Sequence, residues 1–308
     1  MKSIRQEFAD TMLEVGKTNP NLIVMVSDIS HGVLKPFAKT CPKQYYNIGI
    51  CEQSIVNMAA GLSKLDLIPV VHTITPFIIE RSYEQIKLDF GYQKLGINLI
   101  TVGGSFDYSK LGCSHHCYTD VSLMSHFAKS SIFLPGNPKE FNLLFKKNYD
   151  NKKINYFRIT NSQHNLNFDE DKIKNGKGIV VKKGKDITIA TIAPQLQTVI
   201  KAAERLEKES SFSAEILYFP TLKPFDEKTV IESVKKTKKI ITFEELSKHD
   251  GLFSSCIKSI IGIDSVLVKQ IAINDFIHNY GSFDDLCLSQ GLYSENLFNE
   301  ALKLIKNK

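Results

Sequence analysis

Short apolar runs alternate along the chain with stretches in which apolar residues recur every three or four positions. The first such stretch, Arg5 to Val15, sets Phe8, Met12 and Val15 on one face and predicts a helix. The apolar run Leu22 to Val26 then predicts a short buried strand. Cys51 to Leu65 predicts a helix whose Ala59, Ala60 and Gly61 allow close packing against a neighbour. Ile68 to Ile74 predicts a strand, and Phe77 to Tyr92 a long helix. Ile97 to Val102, ended by Gly103-Gly104, predicts another strand, and Ser131 to Leu134 and Ile154 to Ile159 add two more. Strand and helix patterns in alternation predict an α/β fold with largely parallel sheets.

Beyond Ile159 the texture changes. Asn161 to Lys185 is polar and rich in Asn and Lys, which is how a domain linker reads. A second α/β unit is predicted after it. Its strands are Ile187 to Ile192, Ala214 to Tyr218, Lys239 to Phe243 and Val266 to Ile271. Its helices are Gln195 to Glu209, Gly251 to Ile260 and Ser294 to Lys306. The expected division is a first domain at 1–162, a linker at 163–185 and a second domain at 186–308.

The 308 residues suffice for two cores of ordinary size. The net charge of +6 is modest, and the lysine groups at 182–185 and 235–239 flank apolar runs. A solvated face explains them better than nucleic-acid binding. No apolar run reaches the length of a membrane span. The N-terminal segment is amphipathic and carries acids, so it reads as a first helix rather than a secretion signal. Six cysteines at irregular positions do not look like a disulfide framework, and a reducing cytoplasm is the expected location. The sequence has no P-loop and no Gly-x-Gly-x-x-Gly, so a glycine-rich phosphate cradle is not its route to function.

Candidate chemistry concentrates in Tyr45-Tyr-Asn-Ile-Gly-Ile-Cys-Glu-Gln-Ser-Ile-Val-Asn-Met-Ala-Ala-Gly-Leu62. This reads as a strand, a turn at Gly49 and a helix opening at Cys51-Glu52. The helix macrodipole favours a carboxylate at that position. The carboxyl end of a strand is also where open α/β sheets place ligands. Read by itself, Glu52 is a helix-start residue that satisfies backbone donors. The segment resembles the pyrimidine-binding domain of the transketolase family, whose pattern is aromatic-x-Asn-x-Gly-Ile-x-Glu-Gln-x-x-x-x-x-Ala-x-Gly-Leu. In that family the glutamate hydrogen-bonds N1′ of the thiamine aminopyrimidine and helps the cofactor lose its reactive proton. The cofactor then carries the carbon chemistry. The resemblance implies thiamine diphosphate as cofactor and Glu52 as its activating residue.

The resemblance continues in order. Leu22-Ile-Val-Met-Val-Ser-Asp-Ile-Ser30 is similar to the family's first strand, which implies Asp28 near the thiazolium ring and Ile29 as the wedge that bends the cofactor. Read alone, Asp28 is a cap or turn residue. In Pro69-Val-Val-His-Thr-Ile-Thr-Pro-Phe-Ile-Ile-Glu-Arg-Ser-Tyr-Glu-Gln-Ile86, Phe77 matches the aromatic that stacks on the aminopyrimidine, with Arg81 and Gln85 following in pattern. Read alone, Phe77 is a core residue at a helix start and His72 a satisfied strand histidine. Gly112-Cys-Ser-His-His-Cys-Tyr-Thr-Asp120 resembles Gly-x-Thr-His-x-x-x-x-Asp, which implies His115 as the histidine near the reacting carbonyl. The cysteines and histidines of Cys113-Ser-His-His-Cys117 are too crowded to wrap one tetrahedral zinc ion, and no metal ligand is expected in this chain. Thr242-Phe-Glu-Glu-Leu with Gly251, Gly281-Ser-Phe-Asp-Asp-Leu and Gly291-Leu resemble the family's C-terminal domain.

The departures matter as much. Full-length family members carry a further domain that grips the diphosphate through a divalent metal on a Gly-Asp-Gly…Asn motif, which this sequence lacks. The resemblance therefore implies a partner, the N-terminal transketolase subunit with the diphosphate-binding domain, in an α2β2 heterotetramer. That partner holds Mg²⁺ or another divalent metal. Three substrate positions also differ: Gly103 stands for a histidine, Leu111 for an acid, and Asn161 for an arginine that grips sugar phosphate. Cofactor positions are kept while the sugar grip is changed. The expected reaction is transfer of a two-carbon ketol unit between sugars, with a non-standard sugar as substrate and His115, His116 and Arg158 as candidate sugar contacts. The alternatives are a decarboxylating ligase similar to deoxyxylulose phosphate synthase, a 2-oxo acid dehydrogenase β-type subunit, and a non-catalytic scaffold.

Overall fold

In the computed structural model, which describes residues 2–307, several strands of the first unit have every residue buried. Among them are β1 (Leu22–Val26), β4 (Ile97–Val102) and β6 (Ile154–Ile159). Burial on both faces is what a central parallel strand with helices on each side requires. The chain forms two units, 1–107 with 114–163, and 108–113 with 164–308.

The first unit adds β2 (Tyr45–Asn47), β3 (Ile68–Ile74) and β5 (Ser130–Phe133). Its six strands run parallel in the order β5-β6-β4-β3-β1-β2. Its helices are α1 (Ile4–Thr18), α2 (His31–Thr40), α3 (Glu52–Lys64), α4 (Thr75–Ile79), α5 (Tyr83–Gln85), α6 (Asp120–Ser125) and α7 (Pro138–Asn148). Helix α1 opens at Ser3, whose hydroxyl accepts from Gln6 N–H, and it buries Ile4, Phe8, Met12 and Val15. Phe133, Phe141, Phe145 and Phe157 pack ring against ring at 4.5–5.9 Å and fill the core near β6. Strand β1 leads to β2 on one side, while β3 lies on its other side and leads away to β4. The connections thus diverge between β1 and β3, and such a switch point opens a crevice at the carboxyl ends of the strands.

The single helix expected from Phe77 to Tyr92 is broken. Helix α4 ends at Ile79, a bend follows at 80–82, and after α5 the chain makes a wide π-type turn at Ile86–Tyr92. The N–H groups of Glu80 and Arg81 both donate to the Pro76 carbonyl, at 3.0 and 3.1 Å, and this widens and ends the first turn. Wide turns of this kind recur at functional sites.

The second unit contains β7 (Ile179–Lys182), β8 (Ile187–Thr191), β9 (Ala214–Tyr218), the short β10 (Thr221–Lys223), β11 (Lys239–Ser247) and β12 (Leu267–Ile273). Its sheet has the order β12-β11-β8-β9-β7, parallel except for β7. The segment 163–185, read above as a linker, therefore supplies an antiparallel edge strand with Ile179 opposite Tyr218, and it also buries Ile173. Too few apolar residues mark this strand because an edge needs only one buried face. Helices α8 (Leu196–Ser210), α9 (Glu227–Thr237), α10 (Leu252–Ile260), α11 (Phe283–Ser289) and α12 (Ser294–Lys306) complete the unit.

The motif Thr242-Phe-Glu-Glu-Leu…Gly251 is structural. The buried Glu244 carboxylate accepts from the N–H groups of Leu252 and Phe253, at 2.7 and 2.9 Å, and so caps α10 from the end of β11. Burial pushes this carboxyl up to about 7. Gly251 sits at φ +134, and a Cβ there would lie 2.6 Å from Glu244 Oε2. Among the described residues no helix is long and apolar enough to cross a membrane.

Candidate active site

The site is built from four connections, at the carboxyl ends of β1, β2, β3 and β4. The turn after β2 is set by Gly49 at φ +84 and by Asn47. Asn47 Oδ1 accepts from the N–H groups of Gly49 and Asp28, each at 3.1 Å, while its Nδ2 donates to Asp28 Oδ1 at 3.1 Å. One side chain thereby ties the loop after β1 to the turn that launches α3. In that loop Asp28 and Ser30 adopt φ +50 and +56, a left-handed backbone that costs energy in any residue but glycine. Asp28 is exposed and Ile29 half-buried beside it.

Glu52 is the first residue of α3 and is 1% exposed. Ser27 Oγ donates to its Oε1 at 2.8 Å, and Arg81 Nη1 donates to its Oε2 at 2.8 Å. The Arg81 side chain is 43% exposed, so the buried carboxylate is compensated from its solvent side. The same guanidinium lies over the Phe77 ring, with Cζ 4.4 Å from the centroid. The Phe77 ring meets the His115 ring edge to face at 5.1 Å and 71°. His115 reaches this point because its loop is anchored on both sides. Ser105 and Cys117 exchange two backbone hydrogen bonds of 2.7 Å, and Thr119 Oγ1 donates to Glu80 Oε1 at 2.6 Å. Burial pushes the Cys117 thiol well above its ordinary range, which leaves it unreactive.

Glu52, Phe77 and His115 thus converge, with the Asp28-Ile29 loop hydrogen-bonded into the same crevice through Asn47. Sequence reasoning missed Ser27, because a serine at a strand end has no signature of its own. It recorded Arg81 as part of a pattern without seeing that Arg81 touches both Glu52 and Phe77. His72 is the satisfied strand histidine expected: Nδ1 donates to Ile100 O at 2.7 Å and Nε2 accepts from Ser30 Oγ at 2.7 Å. Burial holds it neutral, down to about 3.

Two of the candidate sugar contacts are buried in this chain. Arg158 is 4% exposed, with Nε 3.1 Å from Asp120 Oδ2, and Tyr156 donates to the same oxygen at 2.5 Å. It packs so closely on Gly104 that a Cβ there would lie 2.0 Å from its Nε. His116 is also 4% exposed. The nearby acid that sequence reasoning overlooked is Asp107, whose carboxylate accepts from Asn161 N–H at 2.9 Å and from Thr160 Oγ1 at 3.2 Å. Burial pushes it up to about 6.

A buried carboxyl linked through one guanidinium to a half-exposed aromatic ring fits a flat, hydrogen-bonding heteroaromatic ring such as an aminopyrimidine. Among the described residues no three His, Cys, Asp or Glu side chains converge as a metal-binding group. Residues 1–165 match the family model of the transketolase pyrimidine binding domain, and residues 176–285 that of the transketolase C-terminal domain. The chain belongs to the transketolase family. It is 28% identical over 309 residues to a subunit of the apulose-4-phosphate transketolase of Phocaeicola vulgatus, covering 99% of this chain and 98% of that one. It is 24% identical over 307 residues to a 6-deoxy-6-sulfo-D-fructose transketolase subunit of a Clostridium species, covering 99% and 95%. Among solved structures it is similar to a split gene transketolase in an inactive β4 tetramer, with a TM-score of 0.89 and 27% identity over 99% of both chains. The fold is therefore the transketolase α/β fold of pyrimidine-binding and C-terminal domains, and the chain is a transketolase-type enzyme subunit.

Proposed function

We propose that this chain is the pyrimidine-binding subunit of a thiamine diphosphate-dependent enzyme that moves a two-carbon ketol unit between sugars, one of them not a standard pentose phosphate. The observation that carries the reading is the buried Glu52 carboxyl beside Phe77 at the β1/β3 switch point. Thiamine diphosphate supplies a nucleophilic carbon able to hold the electron pair of a broken carbon–carbon bond. The protein residues do the rest. Glu52 holds a proton at N1′ of the aminopyrimidine, and Ser27 fixes the other carboxyl oxygen so that the proton stays aimed at the ring. Phe77 offers its face to that ring, and Asp28 and Ile29 line the loop on which the cofactor bends. His115, held edge-on to Phe77, donates to the substrate oxygen on which charge develops.

The diphosphate and its divalent metal, Mg²⁺ by its preference for phosphate oxygens, belong to a partner subunit, in an α2β2 assembly in the cytoplasm. The relatives named for apulose 4-phosphate and for a sulfonated fructose support a modified sugar here as well. So does Asp107: an acid on the backbone of Asn161, where the family resemblance calls for a phosphate-gripping arginine, opposes a buried phosphate. A ketol-transfer assay on the reconstituted complex tests this with xylulose 5-phosphate and ribose 5-phosphate against a panel of modified sugars. A modified sugar is expected to be preferred at least about tenfold. A kcat/KM of about 10⁴ M⁻¹s⁻¹ or more on the standard pair would refute the substrate assignment.

A further inference from the structure

We infer that Arg81 is a resident stand-in for the aminopyrimidine, occupying its place until the cofactor displaces it. The inference rests on the reading of Glu52 and Phe77 as pyrimidine contacts. A guanidinium is planar, stacks on aromatic faces and donates N–H groups from its edge. Arg81 uses both properties at once: its guanidinium lies over the Phe77 ring at 4.4 Å, and its Nη1–H reaches Glu52 Oε2 at 2.8 Å. These are the two contacts a flat, hydrogen-bonding ring would make in the same crevice, one on its face and one on its edge. Two planar groups cannot share one face of Phe77, because each fills the whole contact distance of about 3.5 Å. The guanidinium must leave for the ring to enter.

The arrangement also has a reason to exist. With the crevice empty and no cation present, Glu52 would be a buried carboxylate held by Ser27 alone, and an unpaired buried charge is strongly destabilising. Arg81 removes that problem. Among the described residues its side chain has no ion pair besides Glu52, and at 43% exposure it is already in contact with solvent. The bend at 80–82 that interrupts the expected helix is what brings it to the crevice from α4, with Gln53 Nε2 donating to the Arg81 carbonyl at 3.4 Å. Apparent cofactor affinity is then lowered by the fraction of molecules in which the stand-in is seated.

The test has two arms. In the chain alone, without cofactor, urea unfolding of Arg81→Met, Glu52→Leu, which cannot accept from Arg81, and the double variant should reveal coupling between the two residues of about tenfold in the unfolding constant. Additive effects would overturn the inference. In the complex with the diphosphate-binding subunit, calorimetry with thiamine diphosphate and Mg²⁺ should give Arg81→Met a Kd about fivefold lower than wild type. Arg81→Lys, which keeps the charge but not the plane, should fall between them. Phe77→Ala should raise Kd at least about tenfold. Weaker binding by both Arg81→Met and Phe77→Ala would overturn the stand-in and leave the pyrimidine site intact, with Arg81 as a cofactor-positioning residue. Unchanged binding by Phe77→Ala would overturn the site reading itself.

Discussion

At the scale of single residues the site depends on one carboxyl group with two neighbours. Glu52→Gln is close to isosteric here: the amide oxygen can accept from Arg81 while the amide N–H donates to Ser27 Oγ, so the variant should fold. It cannot pass a proton to N1′. The reconstituted complex is expected to keep cofactor binding and to lose about 10²-fold or more in turnover. Steady-state kinetics alongside calorimetry checks this, and near wild-type turnover would reduce Glu52 to a helix-start residue. The family resemblance put Glu52, Phe77 and His115 forward as candidates, and the fold sets Arg81 against both Glu52 and Phe77 and the His115 ring edge-on to Phe77. Ser27 was not legible in the sequence, because its importance comes from where β1 ends in space. Burial is equally invisible to residue type: Arg158 and His116, candidates by charge and type, are each 4% exposed.

At the scale of elements, most strands were legible because parallel strands buried on both faces are continuous apolar runs. The edge strand β7 and the bend after α4 were not. One has half the apolar signal, and the other depends on two N–H groups sharing the Pro76 carbonyl. His72 joins three of these elements, bonding from β3 to Ile100 on β4 and to Ser30 after β1. Held at about 3 instead of 6.5, it binds fewer protons folded than unfolded across that interval. Stability from this group therefore rises with pH from about 3 to 6.5 and is lost on acidification through the same range. Urea unfolding across that range should show a steeper acid loss in wild type than in His72→Gln, and parallel slopes would contradict the assignment. In the second unit, Gly251→Ala must place a side chain at φ +134 and against Glu244. A loss of about 2 kcal/mol or more is expected in chemical unfolding, and a loss below about 0.5 kcal/mol would mean that the β11–α10 junction yields freely.

At the scale of the whole molecule, the alternation of strand and helix patterns foretold two α/β units, whereas strand order was beyond periodicity. The switch point between β1 and β3 follows from that order, and it collects into one crevice residues that lie far apart in the chain. The crevice offers a carboxyl and an aromatic ring, and among the described residues no three His, Cys, Asp or Glu side chains converge to hold a metal ion. On the function proposed above, a second polypeptide holds the diphosphate end of the cofactor. Calorimetric titration of thiamine diphosphate with Mg²⁺ tests this most directly, first into the chain alone and then into the chain mixed with a subunit carrying a diphosphate-binding domain. The account predicts no measurable binding to the chain alone and saturable binding to the mixture, with ketol-transfer activity appearing only there. Tight, Mg²⁺-dependent binding to the isolated chain would contradict it.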